Sequence, residues 1–342
     1  MLGVLARVAA SDGGLGRGTT VMAARRQADI LVVGGISTDF LVQGPRLPRQ
    51  GQNVEGHLFL ESLGGKGANA SVAAARLGAR ATLVGRVGAD ARGLGLLEQL
   101  EGEGVDTLAV TRDPGASTGV VLEMVDESGH RQSLSAEGAN RRMRVPDVLA
   151  AEERISRADV LLVQLEVPLE VVVAAVHVAR AAGTHVVLDP APPTALPEEL
   201  LEAVHVIRLN DLEAEVLTGV EVVDRASARQ AAENLLRRGV GSAVVAAPQG
   251  NLLLGSEGEL WLPNLPVDWV DTTGAGDAFS AALCVALGER RSLSDAARFA
   301  HATSALATMR LGALSGLPNR EQVESFMARL AMSALSGESA RW

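Results

Sequence analysis

Asp271-Thr272-Thr273-Gly274-Ala275-Gly276-Asp277 joins an apolar run, Leu260 to Val270, to a helix-like run, Ala278 to Leu287. Gly274 and Gly276 let backbone N–H groups converge with no side chain in the way. A helix N-terminus placed there adds positive partial charge. An anion can sit on that turn, with Asp277 beside it in the first turn of the helix. Such a pairing suits group transfer: the turn stabilises charge developing on a phosphoryl group, and the carboxylate takes a proton from an incoming hydroxyl. Taken alone, the stretch reads more plainly as a Gly-rich helix start with a capping Asp. The rest of the chain decides between the two.

Upstream of the turn, apolar runs alternate with amphipathic ones. Strands are expected at Ile30–Val33, Ala81–Val84, Val160–Val163, His185–Leu188, Val204–Leu209 and Ala243–Ala246, with a hairpin over Leu252–Leu262. Helices are expected at Ala70–Leu77, Leu94–Leu100, Leu169–Ala182, Asp211–Thr218 and Ala226–Arg238, and after the turn at Leu293–Met309 and Arg320–Leu335. Alternation of this kind implies a mostly parallel sheet covered by helices on both faces, an α/β fold. Two stretches break it. Phe40 to Leu63 carries Pro45, Pro48, Gly51 and Gly56 and suits short strands. Thr118–Val125, the Asp126–Gly129 turn and Arg131–Ala136 form a hairpin. Together these make a small separate sheet.

Composition bounds the function. The 342 residues are 47% hydrophobic and 21% charged, enough for a large core in a globular protein. A net charge of −10 and only 2% aromatics, with no Tyr, argue against a nucleic-acid partner. Cys284 is the single cysteine, which excludes an intrachain disulfide and a Cys-rich zinc site. It is expected to be buried, in a chain working in reducing cytoplasm. No apolar run is long and uncharged enough for a membrane span. Residues 1–28 hold four Arg against one Asp and read as a disordered extension, with 29–335 as the folded body and 336–342 as a tail.

Further candidates flank the sheet. Asp39 lies just past the Ile30–Val33 strand, at the carboxyl end where open α/β sheets bind ligands. In Gly64-Gly65-Lys66-Gly67-Ala68-Asn69, Lys66 and Asn69 are three apart and share one face at a helix start. A cation and an amide there suit a polyhydroxylated ligand. The run is not a Walker loop, because Gly67 rather than Ser or Thr follows Lys66. Asn210 and Glu213 follow the Val204–Leu209 strand. They can hold hydrated Mg²⁺ near phosphates or simply form a capping box. Glu166 follows the Val160 strand. Gly115-Ala116-Ser117-Thr118-Gly119 imitates a nucleophile elbow but lacks the strand-to-helix setting that motif needs.

With these residues in order, the chain resembles the ribokinase-like sugar kinases of the PfkB carbohydrate kinase family over about residues 29–335. Gly64–Asn69 is similar to that family's N-terminal signature and Asp271–Asp277 to its C-terminal one. Gln164-Leu165-Glu166, Asp189-Pro190-Ala191-Pro192 and Arg298-Phe299-Ala300-His301 add weaker agreement. The resemblance implies a three-layer sandwich with a small β lid from about 37–63 and 111–136, and a homodimer formed through the lid. It implies transfer of the ATP γ-phosphate to a sugar's primary hydroxyl, that of D-ribose first. Another sugar or a nucleoside, or a weakly catalytic sugar-binding protein, is the alternative. By the same resemblance Asp277 is the general base and Gly274, Ala275 and Gly276 form the anion hole. Ser37, Asp39, Gly65, Lys66, Asn69 and Glu166 hold the sugar. Asn210, Glu213, Gly250, Gly276 and His301 lie on the ATP·Mg²⁺ side. Asp271, Thr273, Ala307, Arg310 and Gly312 are expected to hold K⁺. Three positions depart from the family pattern. Val245-Ala246-Ala247-Pro248-Gln249-Gly250 lacks the hydroxyl and first glycine of the nucleotide loop. Ser37 stands where an Asn is common. Gly316 stands where a serine completes the cation site.

Overall fold

Residues of β1 (Asp29–Val33) alternate between two cores: Ile30 and Val32 face one, Leu31 and Val33 the other, all buried. A strand buried on both faces reads as a continuous apolar run and lies in the middle of a parallel sheet. The structure, a computed structural model, describes residues 26–336. After β1 come β2 (Ser37–Gly44), β3 (Leu58–Gly64), α1 (Lys66–Arg76), β4 (Arg80–Gly88), α2 (Ala91–Gly102) and β5 (Val105–Asp113). β6 (Gly119–Asp126) and β7 (Arg131–Ala136) precede the short helices α3 (Val145–Leu149) and α4 (Glu152–Arg157). β8 (Val160–Gln164), α5 (Leu169–Ala182), β9 (His185–Asp189), α6 (Glu198–Leu201), β10 (Val206–Leu209), α7 (Asp211–Thr218) and α8 (Arg225–Arg237) continue the alternation. β11 (Ser242–Ala247) and the hairpin β12 (Gly250–Gly255) and β13 (Gly258–Pro263) lead to α9 (Ala275–Gly288), α10 (Leu293–Ala307), α11 (Ala313–Gly316) and α12 (Arg320–Ser336).

The large sheet has the order β13-β12-β11-β10-β9-β8-β1-β4-β5. From β11 to β5 every neighbour is parallel; β12 and β13 add an antiparallel edge. Phe279 and Leu283 of α9, Ala70 and Ala73 of α1 and Phe299 of α10 pack on the Ile30 face, while Val172 and Val176 of α5 and Leu235 of α8 pack on the Leu31 face. The result is the expected three-layer α/β sandwich. A Cβ at Gly67 would lie 2.5 Å from the carbonyl carbon of Gly34, so the start of α1 rests directly on the end of β1. That contact brings the Lys66 turn to the carboxyl ends of β1 and β8.

The second sheet, β3-β2-β6-β7, is the expected lid. Its register sorts the side chains by face, because residues directly opposite point the same way. Phe40 opposes Leu122, Val42 opposes Phe59 and Met124, and Leu122 opposes Leu134, so these apolar residues share the outward face. Phe59, Leu122 and Leu134 are exposed there. Asp39, Val121 and Ser135 share the opposite face, with Glu123 and Ser133 paired on it as well.

Three expectations need correction. Residues 111–113 belong to β5, which pairs with β4 at the edge of the large sheet, so the second lid segment begins at Gly119. β5 escaped notice because an edge strand with exposed Leu108 and several polar residues lacks a buried strand's apolar run. Helix α9 begins at Ala275, three residues before the apolar run that marked it, and α1 likewise begins at Lys66. The folded body starts earlier than residue 29. Ala28 is buried in the core and Arg26 pairs with Asp159 at 2.5 Å. The proposed extension before residue 26 and the tail after 336 lie outside the described residues. Cys284 is buried, as expected.

Candidate active site

Gly274 caps α9 in the left-handed conformation (φ 78°, ψ −6°), which glycine adopts without strain. The cap starts α9 at Ala275, whose N–H donates back to the Thr272 carbonyl at 3.2 Å. Asp277 follows in the first turn and is buried. Its Oδ2 accepts a hydrogen bond from Asn69 Nδ2 at 2.9 Å. Its Oδ1 accepts none from the protein and lies 3.8 Å from Lys66 Nζ. Lys66 and Asn69 thus share a face of α1, as their spacing requires, and that face is turned on Asp277. Burial pushes the Asp277 carboxyl above the ordinary range; Lys66 and the Asn69 hydrogen bond act against it. An ion pair at about 4 Å contributes about 4 kcal/mol at an effective dielectric of ~20, similar to the several kcal/mol that burying a carboxylate costs. Burial outweighs the cation and the hydrogen bond, so the carboxyl stays above its ordinary range.

Lys66 is held in turn. Its backbone N–H donates to Glu166 Oε2 at 2.7 Å, and its ammonium is pushed up by Asp277 first, then by Asp189, Glu166 and Glu213. Burial raises Glu166 to about 7 against the pull of Lys66, and raises Asp39 to about 6 against the hydrogen bond from Ser37. Ser37 Oγ donates to Asp39 Oδ1 at 2.7 Å. Ser37, Lys66 and Glu166 line a cavity of about 180 Å³ that Val120 and Ser135 of the lid also line. Gly65 is the N-cap residue of α1. Asn140 ties the lid hinge: its amide accepts from Ile36 N at 3.0 Å and donates to Ile36 O at 2.8 Å.

On the other side of the Gly274 turn, Asn251, Asn264, Trp269, Thr272, His301 and Ser304 line a second cavity of about 300 Å³. His301 Nε2 meets the Pro263 carbonyl at 2.8 Å and Nδ1 meets Asn251 Nδ2 at 3.1 Å. This pattern assigns the neutral ring with Nε2 protonated. Burial holds the ring below its usual pKa. A roomier cavity, about 440 Å³, lies between α10 and α12 around Leu306, Leu317 and Gln322, away from Asp277. Asn210 and Glu213 form the capping box: Asn210 Oδ1 accepts from Glu213 N at 2.7 Å and Glu213 Oε2 accepts from Asn210 N at 2.8 Å. Glu213 is buried, and its carboxyl is raised by burial and by Asp189. Gly250 opens β12, where a Cβ would meet the Leu262 carbonyl at 2.2 Å; its role in the fold is close strand pairing.

Sequence reasoning missed Arg208. It stands in β10, and a Cβ on Gly276 would lie 2.7 Å from its Nη1, so the guanidinium covers the anion turn. Its nearest acid is Asp189, at 3.9 Å, and its Nε has no partner. Ser280 Oγ donates to Asp189 Oδ2 at 2.7 Å. A lone Arg inside the apolar strand Val-Ile-Arg-Leu was the available signal. Of the eight buried polar atoms without a protein partner among the described residues, six belong to this region: Asn69 Oδ1, both amide atoms of Gln164, Asp189 Oδ1, Arg208 Nε and Asp277 Oδ1; Arg86 Nε and His185 Nε2 are the others. Buried polar groups are nearly always satisfied, so their grouping marks a ligand site.

Of the residues expected to hold K⁺, Asp271 and Gly312 already spend their oxygens within the protein. Both Asp271 oxygens already accept hydrogen bonds, Oδ1 from Thr273 N and Arg131 and Oδ2 from Gly312 N. The Gly312 carbonyl accepts from Gly316 N and Ser315 Oγ. A side chain at Gly316 would put its Cβ 2.4 Å from the Ala307 carbonyl, so no hydroxyl can complete the set there.

Comparison with known proteins supplies the family. Residues 27–320 match the pfkB family of carbohydrate kinases. A ribokinase of Haemophilus influenzae is 34% identical over 87% of this chain and 98% of its own. A deoxyribokinase of Salmonella typhi is 30% identical over 88% of this chain and 99% of its own. Among solved structures, Arabidopsis thaliana ribokinase complexed with ribose and ATP superposes with a TM-score of 0.80 at 30% identity, covering 88% of this chain and 99% of the other. An open turn at a helix start, a buried carboxylate behind it and a lidded cavity beside it are the parts such an enzyme needs, and the chain belongs to the pfkB family of carbohydrate kinases, as a ribokinase-like phosphotransferase with an alcohol group as acceptor.

Proposed function

We propose that the chain transfers the γ-phosphate of ATP to the primary hydroxyl of D-ribose, giving ribose 5-phosphate and ADP. The carrying observation is the unused Oδ1 of Asp277, buried at the first turn of α9 and facing Lys66, which lines the lidded cavity. In this reading the sugar occupies the 180 Å³ cavity against Ser37, Lys66 and Glu166, which line it, and reaches Asp39, Gly65 and Asn69 beside it. The adenine end of ATP occupies the cavity around Asn251 and His301, with Asn210 and Glu213 facing its Mg²⁺-bearing phosphates. The sugar oxygen bonds to the γ-phosphorus as the bond to the ADP oxygen breaks, and the hydroxyl proton passes to Asp277 Oδ1. The N–H groups of Gly274, Ala275 and Gly276 and the guanidinium of Arg208 offset the charge that builds on the transferred group. A site that excludes water around these groups makes each interaction stronger than in solution.

Substrate choice rests on Ser37. Its hydroxyl is already committed to Asp39, which leaves the pocket one amide poorer than the pattern this family commonly shows. That favours, as second reading, a furanose with fewer hydroxyls to satisfy, 2-deoxyribose among them. The outward face of the lid is apolar at Val42, Phe59, Leu122 and Leu134, and a contiguous exposed apolar face marks a protein contact. We assign it to a homodimer joined lid to lid. We assign the reaction to the cytoplasm, in keeping with a single buried thiol.

An ADP-release assay across D-ribose, 2-deoxyribose, fructose and a nucleoside set tests the reading. Turnover on ribose, absent in Asp277→Asn, supports it. Turnover on another acceptor alone moves the substrate. Sugar binding with no turnover on any acceptor makes the chain a sugar-binding protein, in line with a Val245–Gly250 loop that lacks the hydroxyl and first glycine of the family pattern.

A further inference from the structure

Arg131 is the first residue of β7, the edge strand of the lid, yet its guanidinium reaches across to the turn that starts α9. Its Nη2 lies 2.5 Å from Asp271 Oδ1, and its Nη1 donates to Thr273 Oγ1 and, at 2.8 Å, to Glu123 Oε1. Asp271 is all but fully buried, its side chain 1% exposed, and it braces the turn by accepting from Thr273 N and Gly312 N. A buried carboxylate needs a compensating charge. Among the described residues Arg131 supplies it, and supplies it from another sheet.

We propose that Arg131 is a built-in cation for the anion turn: it neutralises Asp271 and orders Thr273 when the lid is shut, so that turnover needs no potassium or other alkali cation. The inference rests on the kinase reading for its effect on activity, but not for its effect on the turn. Three observations bear on it together. The guanidinium sits on the carboxylate that an alkali ion would neutralise. The backbone at Gly316 leaves no room for a completing side chain. The carbonyl of Gly312 is already bonded twice within its own loop. A charge that arrives on the lid also does what a free ion does not. It makes the order of the anion turn depend on lid closure, and so on a sugar being underneath. Arg131 touches the bracing residues rather than the reacting atoms, so it is a positioning residue.

The test uses the full chain and two variants, Arg131→Met and Arg131→Lys. Turnover of the wild type is measured in K⁺ and in tetramethylammonium buffers, and hydrogen exchange is followed in peptides covering 271–277 with and without K⁺. The wild type is expected to change less than about twofold between the buffers, because the turn already has its cation. Arg131→Met is expected to lose about 10- to 100-fold in kcat, with sugar KM nearly unchanged, and to exchange faster over 271–277. Arg131→Lys keeps the charge and is expected to recover most of both. A wild-type rate that rises more than about tenfold with K⁺ overturns the proposal. So does an Arg131→Met protein with native exchange over 271–277, or an Arg131→Lys protein as impaired as Arg131→Met. Exchange needs no turnover, so failure of the kinase reading and failure of this one are told apart.

Discussion

Asn69 Nδ2 donates to Asp277 Oδ2 at 2.9 Å although 208 residues separate the two in the chain. This one bond joins the glycine-rich start of α1 to the glycine-rich start of α9. It satisfies one carboxylate oxygen and leaves the other without a protein donor. Replacing Asp277 by Asn keeps the shape and the hydrogen bond but removes the proton acceptor. The expected loss is about 10²- to 10⁴-fold in kcat, with sugar and ATP affinity retained. Isothermal titration beside steady-state kinetics checks both halves.

Lys66 acts on Asp277 through charge. In Lys66→Met the carboxyl loses the cation that opposes its burial, so its pKa rises further and the acid limb of the kcat/KM profile moves to higher pH. The maximal rate is expected to fall by about tenfold or more. A pH–rate profile separates this from a loss of sugar contact, which would raise KM and leave the limb in place.

Glu166 carries a pH signature of its own. Burial, opposed by Lys66, raises its carboxyl from 4.5 to about 7 in the folded chain. Across that interval the folded chain holds a proton that the unfolded chain has released. Stability therefore falls as pH rises through the window. Glu166→Gln removes the term, so its Tm relative to wild type should improve by about 2 °C or more between pH 5 and pH 8. Thermal melts at the two pH values check the sign. A variant that loses ground toward pH 8 contradicts the assignment.

These predictions draw on residues that were legible to different degrees. The Gly64–Asn69 and Asp271–Asp277 runs were legible together rather than singly, because a turn that approaches backbone or anion closely uses glycine but so does an ordinary helix start. The parallel sheet was legible in itself: Ile30–Val33 and Val160–Val163 are buried on both faces and read as unbroken apolar runs. β5 was not legible, since an edge strand keeps one side in water. Arg208 and Arg131 were not legible as site residues either. One is a cation inside a strand, the other a cation on an exposed hairpin. Their significance arises from what the fold brings against them, Gly276 and Asp271, which lie 68 and 140 positions away.

Arg208 gives a further test. Its guanidinium lies over Gly276 with only a distant acid, Asp189 at 3.9 Å. Arg208→Met should lower kcat by about 10²-fold while sugar binding is unchanged, because its charge is useful mainly when negative charge builds on the transferred group. A variant with weakened sugar binding and unchanged kcat would place Arg208 in the structural core instead.

The lid supplies a test of assembly. Phe59→Glu with Leu134→Glu puts two charges on the outward apolar face without touching the inner one. Light scattering coupled to size exclusion should show a dimer in the wild type and a monomer in the double variant. A wild type that runs as a monomer removes the lid-to-lid contact from the account.

The central claim is transfer of a phosphoryl group to a primary hydroxyl with Asp277 taking the proton. Phosphorus NMR of the product from ATP and D-ribose tests it most directly, because coupling to the sugar protons locates the phosphate. The account predicts ribose 5-phosphate from the wild type and no product from Asp277→Asn. A phosphate on C1, or equal product from Asp277→Asn, would contradict it.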